Sequence, residues 1–167
     1  MRLSGLFTII VVFILGWSLH DVFNNINSEQ PAKTVTGQVI STLQNERPSP
    51  SDIIKEQDIH VYNNKVIIDV DDPQWAKFTD TNSMDPVFDK GANAIQIVPT
   101  KAEQIQVGDI ISFEAGFESG TIIHRVIEIE EDEDGWYART KGDNNPVRDP
   151  GKVRFKQVKK MLVAIIY

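Results

Sequence analysis

The chain contains no cysteine. Disulfide cross-links, thiolate catalysis and cysteine metal sites are therefore excluded, while the compartment is left open. It also lacks a basic stripe: 17 lysines and arginines stand against 24 aspartates and glutamates, for a net charge of −7. A nucleic-acid binder neutralises phosphates with clustered basic side chains, so nucleic acid is not an expected partner. Histidine is scarce, with His20, His60 and His124 the only three, and candidates for a base acting near neutral pH are correspondingly few. Long apolar runs are scarce as well. Leu3 to Leu19 is one, and the apolar end Met161 to Tyr167 is too short to cross a bilayer as a helix.

What remains is room for one ordinary domain and an appendage in 167 residues, with 41% hydrophobic and 25% charged residues typical of a globular chain. Leu3 to Leu19 carries no charge and as a helix spans roughly 25 Å, so continuation through Phe23 brings it to the thickness of a hydrocarbon core. No small-x-small cleavage site follows it, which favours an uncleaved anchor over a signal peptide. Arg2 precedes the span and Asp21 follows it. The positive-inside bias then places residues 24–167 outside the cytosol.

Residues 24–50 are rich in Asn, Ser, Gln, Thr and Pro, as a linker is, with a short helix expected over Val35 to Leu43. Ser49-Pro50-Ser51-Asp52 is a helix-start pattern and predicts one to two turns through Glu56. Ile59 to Tyr62 and Lys65 to Val70 alternate around Asn63-Asn64 and predict a hairpin. Asp69, Asp71 and Asp72 match no metal-loop spacing and read as a solvated strand end. Trp75 and Phe78 suit either a membrane interface or the core. The expected organisation is an anchor at 1–23, a linker at 24–50, an added helix and hairpin at 51–78, and a catalytic domain at 79–167.

Strands are predicted at Ala94 to Val98, Val107 to Phe113, Thr121 to Glu130, Trp136 to Thr140 and Met161 to Tyr167, a mainly β chain. An acidic turn, Glu130 to Gly135, joins the third and fourth and reads as a solvated loop. Period two in Thr121 to Glu130 puts Ile123, Arg125 and Ile127 on one face and Ile122, His124 and Val126 on the other. A histidine between Ile122 and Val126 needs hydrogen-bond partners to offset its desolvation. It is either a satisfied core residue or a catalytic base.

Ser83 lies in the turn Thr81-Asn82-Ser83-Met84-Asp85-Pro86, and a serine becomes a nucleophile only with a base in reach. A serine on one imidazole nitrogen of His124 and a carboxylate on the other would form a nucleophile–base–orienter relay. Asp143 and Asp149 are both candidates for that carboxylate.

These residues resemble the conserved boxes of type I signal peptidases. Ser83-Met84-Asp85-Pro86 is similar to the Ser-Met-x-Pro nucleophile box. Gly108-Asp109-Ile110-Ile111, His124-Arg125-Val126, and Lys141-Gly142-Asp143-Asn144-Asn145 with Asp149 resemble the later boxes in the same order. Histidine in place of the bacterial lysine base matches the archaeal and endoplasmic-reticulum branch. The resemblance implies a signal-peptidase-like β-fold with a single N-terminal transmembrane helix. It implies Ser83 as nucleophile, His124 as base, Asp149 as the orienting acid and Asp143 as a supporting acid, the two acids being interchangeable. It further implies an oxyanion site of the Ser83 N–H and Thr81, Met84 beside the substrate, and no cofactor. Family members usually have glycine before the nucleophile. Here it is Asn82, which tolerates a left-handed backbone better than most residues.

The implied activity is cleavage of signal peptides from exported precursors, at the plasma or endoplasmic-reticulum membrane, on the extracytosolic side and through an acyl-enzyme. The implied partners are those precursors and the lipid bilayer. The alternative is a membrane-tethered β-domain that binds peptides or partner proteins without catalysis. A self-cleaving repressor-type peptidase would need a lysine base and a DNA-binding helix pair, and the chain has no such pattern.

Overall fold

The computed structural model describes residues 48–167. The expected anchor, the linker up to residue 47, the short helix at 35–43 and His20 lie outside the described residues. Among the described residues no helix is long and apolar enough to cross a membrane. The fold is mainly β.

The chain divides into two compact units. One includes Ile59–Ile67; the other includes, among the described residues, 48–58 and Ile68–Tyr167. The predicted hairpin forms as β1 (Ile59–Val61) against β2 (Val66–Ile68). Its turn is closed by the Tyr62 N–H donating to the Lys65 carbonyl at 2.9 Å. His60 lies within β1, half-buried.

The second unit is built on a seven-stranded sheet. Its strands are β3 (Gln74–Lys77), β4 (Asn93–Ile97), β5 (Ile110–Glu114), β6 (Thr121–Asp132), β7 (Gly135–Lys141), β8 (Val153–Arg154) and β9 (Val158–Ile166). They lie in the order β3-β4-β9-β5-β6-β7-β8, with every neighbouring pair antiparallel. The C-terminal strand thus inserts between β4 and β5 instead of joining an edge.

Flanked by β9 and β6, β5 is buried at Ile110, Ile111, Ser112 and Phe113. Strand alternation sends these side chains to opposite faces. Ile111 and Phe113 pack with Val126, Ala138, Val153 and Met161, while Ile110 packs with Met84, Phe88, Ala94 and Leu162. Each full burial of an isoleucine or phenylalanine contributes on the order of 1.5–3 kcal/mol, so the sheet is held from both faces.

Two expectations are corrected. No helix forms at 49–56; a 3-10 turn occupies Glu56–Asp58 instead. Ser49 caps no helix there, and Ser51, two residues on, donates its N–H to Asp109 Oδ1 at 2.7 Å and its hydroxyl to Asp109 Oδ2 at 3.2 Å. Second, residues 74–77, placed in the added element at 51–78, form β3 and pair with β4 through Trp75–Ile95 and Ala76–Ala94. The two aromatics, for which either placement was open, divide. Trp75 is 64% exposed with its indole N–H on Asn93, whereas Phe78 stacks on Phe88 with ring centroids 3.9 Å apart.

Candidate active site

The serine turn is held by its flanks. Met84 and Phe88 are buried in the second apolar cluster, and the Met84 carbonyl accepts the Val87 and Phe88 N–H groups. Asn82 has φ of 56°, the left-handed conformation its side chain tolerates. Asp89 Oδ1 accepts the Thr81 and Asn82 N–H groups at 3.3 and 3.4 Å. Desolvation alone raises the Asp89 pKa. Hydrogen bonds from the Lys90, Thr81 and Asn82 backbones and the charge of Lys90 outweigh it, so the pKa lies below the ordinary carboxylate value. The Thr81 hydroxyl is 3.2 Å from Ser83 Oγ.

The loop after β7 closes on this turn. Asn144 donates its N–H to the Ser83 carbonyl and its side-chain amide to the Asn82 carbonyl, both at 2.9 Å. Gly142 permits the approach, since a Cβ there would lie 2.6 Å from the Ser83 carbonyl oxygen.

His124, in β6, is 8% exposed. Asp149 Oδ2 accepts from its Nδ1 at 2.7 Å and from Thr140 Oγ1 at 2.7 Å, while the Asp149 N–H donates to the Thr140 carbonyl at 2.9 Å. Burial pushes the Asp149 pKa up. The hydrogen bonds from His124 and Thr140, with the charges of His124 and Lys141, overcome that and hold it below the usual value. The carboxylate orients the ring from the Nδ1 side.

Arg125, the next residue, takes the other acid. Its Nε and Nη2 donate to the two Asp143 oxygens at 2.8 and 2.7 Å, and its Nη1 donates to the Gly108 carbonyl at 2.7 Å. Asp143 is thus held on a guanidinium and Asp149 on the imidazole.

Ser83, Thr81, His124 and Asn145 line a common cleft of about 420 Å³, with Phe78 and Phe88 among its apolar walls. A hydroxyl, an imidazole and a carboxylate that orients the imidazole are the groups needed to transfer an acyl group through a serine ester. Met84, expected beside the substrate, is 2% exposed and belongs to the apolar core, because its side chain faces the sheet when Ser83 faces the cleft. The roles of Asp89, Thr140 and Asn144 were not legible in the sequence; each acts through a contact with a residue seven or more positions away. Arg125 was legible as a member of the His124-Arg125-Val126 box and as the residue opposite in facing to His124, but its pairing with Asp143 was not.

Several relatives match part of the chain, three of them as follows. It is 39% identical over 72 residues to the signal peptidase complex catalytic subunit sec11 of Dictyostelium discoideum, covering 42% of this chain and 39% of that one. It is 35% identical over 77 residues to the corresponding SEC11 subunit of Scheffersomyces stipitis, 46% and 45% of the two chains. To signal peptidase I W of Bacillus subtilis it is 30% identical over 79 residues, 47% and 41%. The match thus covers less than half the length of these relatives. No family model matches the chain. No solved structure matches it. The resemblance to type I signal peptidases read from the motifs is borne out by these relatives.

Proposed function

We propose that the protein is a membrane-anchored serine endopeptidase that removes signal peptides from exported precursors, with Ser83 as nucleophile, His124 as general base and Asp149 as the orienting acid. The observation that carries this reading is the 2.7 Å bond between His124 Nδ1 and Asp149 at the cleft that Ser83 also lines. The likeness to signal peptidase subunits supplies the substrate class.

In the reaction, Ser83 Oγ attacks the scissile carbonyl while His124 takes its proton; Asp149 stabilises the imidazolium that forms. The developing oxyanion sits against the Ser83 N–H and the Thr81 hydroxyl, whose 3.2 Å distance from Ser83 Oγ suits that position. His124 then gives its proton to the leaving amine, and water releases the acyl group by the reverse relay. Asp143 supports the loop through Arg125 and takes no proton. Leu3 to Leu19 tethers the domain to the bilayer, raising the effective concentration of membrane-bound substrate.

Full-length protein in detergent tests this reading. Ser83→Ala should abolish cleavage of a signal-peptide-bearing precursor while circular dichroism stays unchanged. Undiminished turnover in that variant would overturn the assignment.

A further inference from the structure

The carboxylate that orients His124 stands on a loop. Asp149 belongs to residues 142–152, between β7 and β8, whereas His124 lies inside β6. A catalytic group carried by a loop keeps its geometry only through the contacts that support it. Two of those contacts come from one residue. Thr140 Oγ1 donates to Asp149 Oδ2 at 2.7 Å, and the Thr140 carbonyl accepts the Asp149 N–H at 2.9 Å.

The sheet sets Thr140 where it can do this. It is the register partner of Val126, which lies two residues beyond His124 on the same face of β6. The Thr140 hydroxyl and His124 Nδ1 meet the same oxygen, Asp149 Oδ2, each at 2.7 Å. Thr140 is 1% exposed and does not line the cleft, and Val126 beside it is fully buried. A valine has nearly the same shape, suits a strand as well and buries no hydroxyl. The need for a hydroxyl at this position therefore comes from the carboxylate.

We propose that Thr140 is a positioning residue of the reaction, holding the loop-borne Asp149 carboxylate in the place from which it orients His124. The inference rests on the proposed peptidase reading and adds a residue that touches neither the substrate nor the reacting atoms. Without the hydroxyl, Asp149 keeps its bond to the imidazole but loses the second donor that fixes the shared oxygen. The imidazolium that forms as Ser83 attacks is then stabilised less well, while the contacts of the substrate are untouched.

The test uses full-length protein in detergent and a signal-peptide-bearing precursor. Thr140→Val should lower kcat about tenfold, the worth of one net hydrogen bond, with KM nearly constant. Thr140→Ser restores the donor and should retain most of the rate. In an Asp149→Ala background the same Thr140→Val change should alter kcat by less than about twofold, since its effect passes through the carboxylate. A Thr140→Val rate equal to wild type overturns the proposal. So does a Thr140→Ser loss as large as that of Thr140→Val, or a loss that recurs undiminished without Asp149. Thr140→Ala stands in if Thr140→Val does not fold; if circular dichroism shows that neither folds, the residue is structural and the proposal falls. Ser83→Ala separates the two failures. Cleavage that survives it overturns the peptidase reading; cleavage that it abolishes, with a rate indifferent to Thr140, overturns only this inference.

Discussion

His124 and Asp149 are bonded side chain to side chain, Nδ1 to Oδ2 at 2.7 Å, although 25 positions separate them. The neighbouring Arg125 grips Asp143 with two nitrogens at 2.8 and 2.7 Å. Alternation along β6 points adjacent side chains to opposite faces, so two acids six residues apart on one loop receive different partners.

The two acids should therefore fail differently. Asp149→Asn should lower kcat on the order of a thousandfold by removing the charge that orients His124 and stabilises its protonated form. Asp143→Asn leaves Arg125 buried and half-paired, and should destabilise the fold by about 3 kcal/mol. Parallel kinetics and urea denaturation decide it. Equal kinetic losses at matched stability would refute the division.

The proposed oxyanion role of Thr81 is open to a similar comparison. Thr81→Val should reduce kcat on the order of a hundredfold with KM nearly constant, since the donor acts on charge that develops during the reaction. Thr81→Ser keeps the hydroxyl and should retain most of the rate.

Asp149 also predicts an acid-side signature. Its folded pKa is lowered, with burial outweighed by hydrogen bonds from His124 and Thr140. A depressed carboxylate contributes stability above its unfolded pKa of about 3.9 and loses it as pH falls through the lower folded value. The Tm advantage of wild type over Asp149→Asn should be steady above about pH 5 and shrink below about pH 4. An advantage that grows on acidification would contradict the shift.

Two glycines separate activity from stability. A Cβ at Gly142 would meet the Ser83 carbonyl at 2.6 Å and the Asn145 amide at 2.7 Å, so Gly142→Ala should displace the loop from the nucleophile and lower kcat. Gly108 has φ of 105°, and a Cβ there would lie 2.2 Å from the Ser49 carbonyl oxygen. Gly108→Ala should release the segment at 48–51 and cost roughly 1–3 kcal/mol of stability. Thermal melts and initial rates on the same preparations distinguish them.

Much of the site's composition was readable in the chain. The alternation of Thr121 to Glu130 already set His124 and Arg125 on opposite faces, because a strand's side-chain period is a local property of its backbone. Asn82 before Ser83 signalled the left-handed residue that the turn contains. Local pattern misled where a partner lay far away. Ser49-Pro50-Ser51-Asp52 looked like a helix start, yet Ser51 bonds Asp109, 58 positions on. Met84 looked like a substrate contact and instead anchors the turn in the core.

By itself, then, the sequence determined most of the strands, though not β3 or β8, and with them the serine turn, the single well-placed histidine and the pair of acids that could serve it. Tertiary structure decided the pairing: β9 between β4 and β5, Asp149 on His124, Asp143 on Arg125, and Thr140 on Asp149. The physical reason is range. Periodicity and turn chemistry act over a few residues, whereas these contacts are selected by how the sheet's two faces fill and by the need to satisfy each buried polar group.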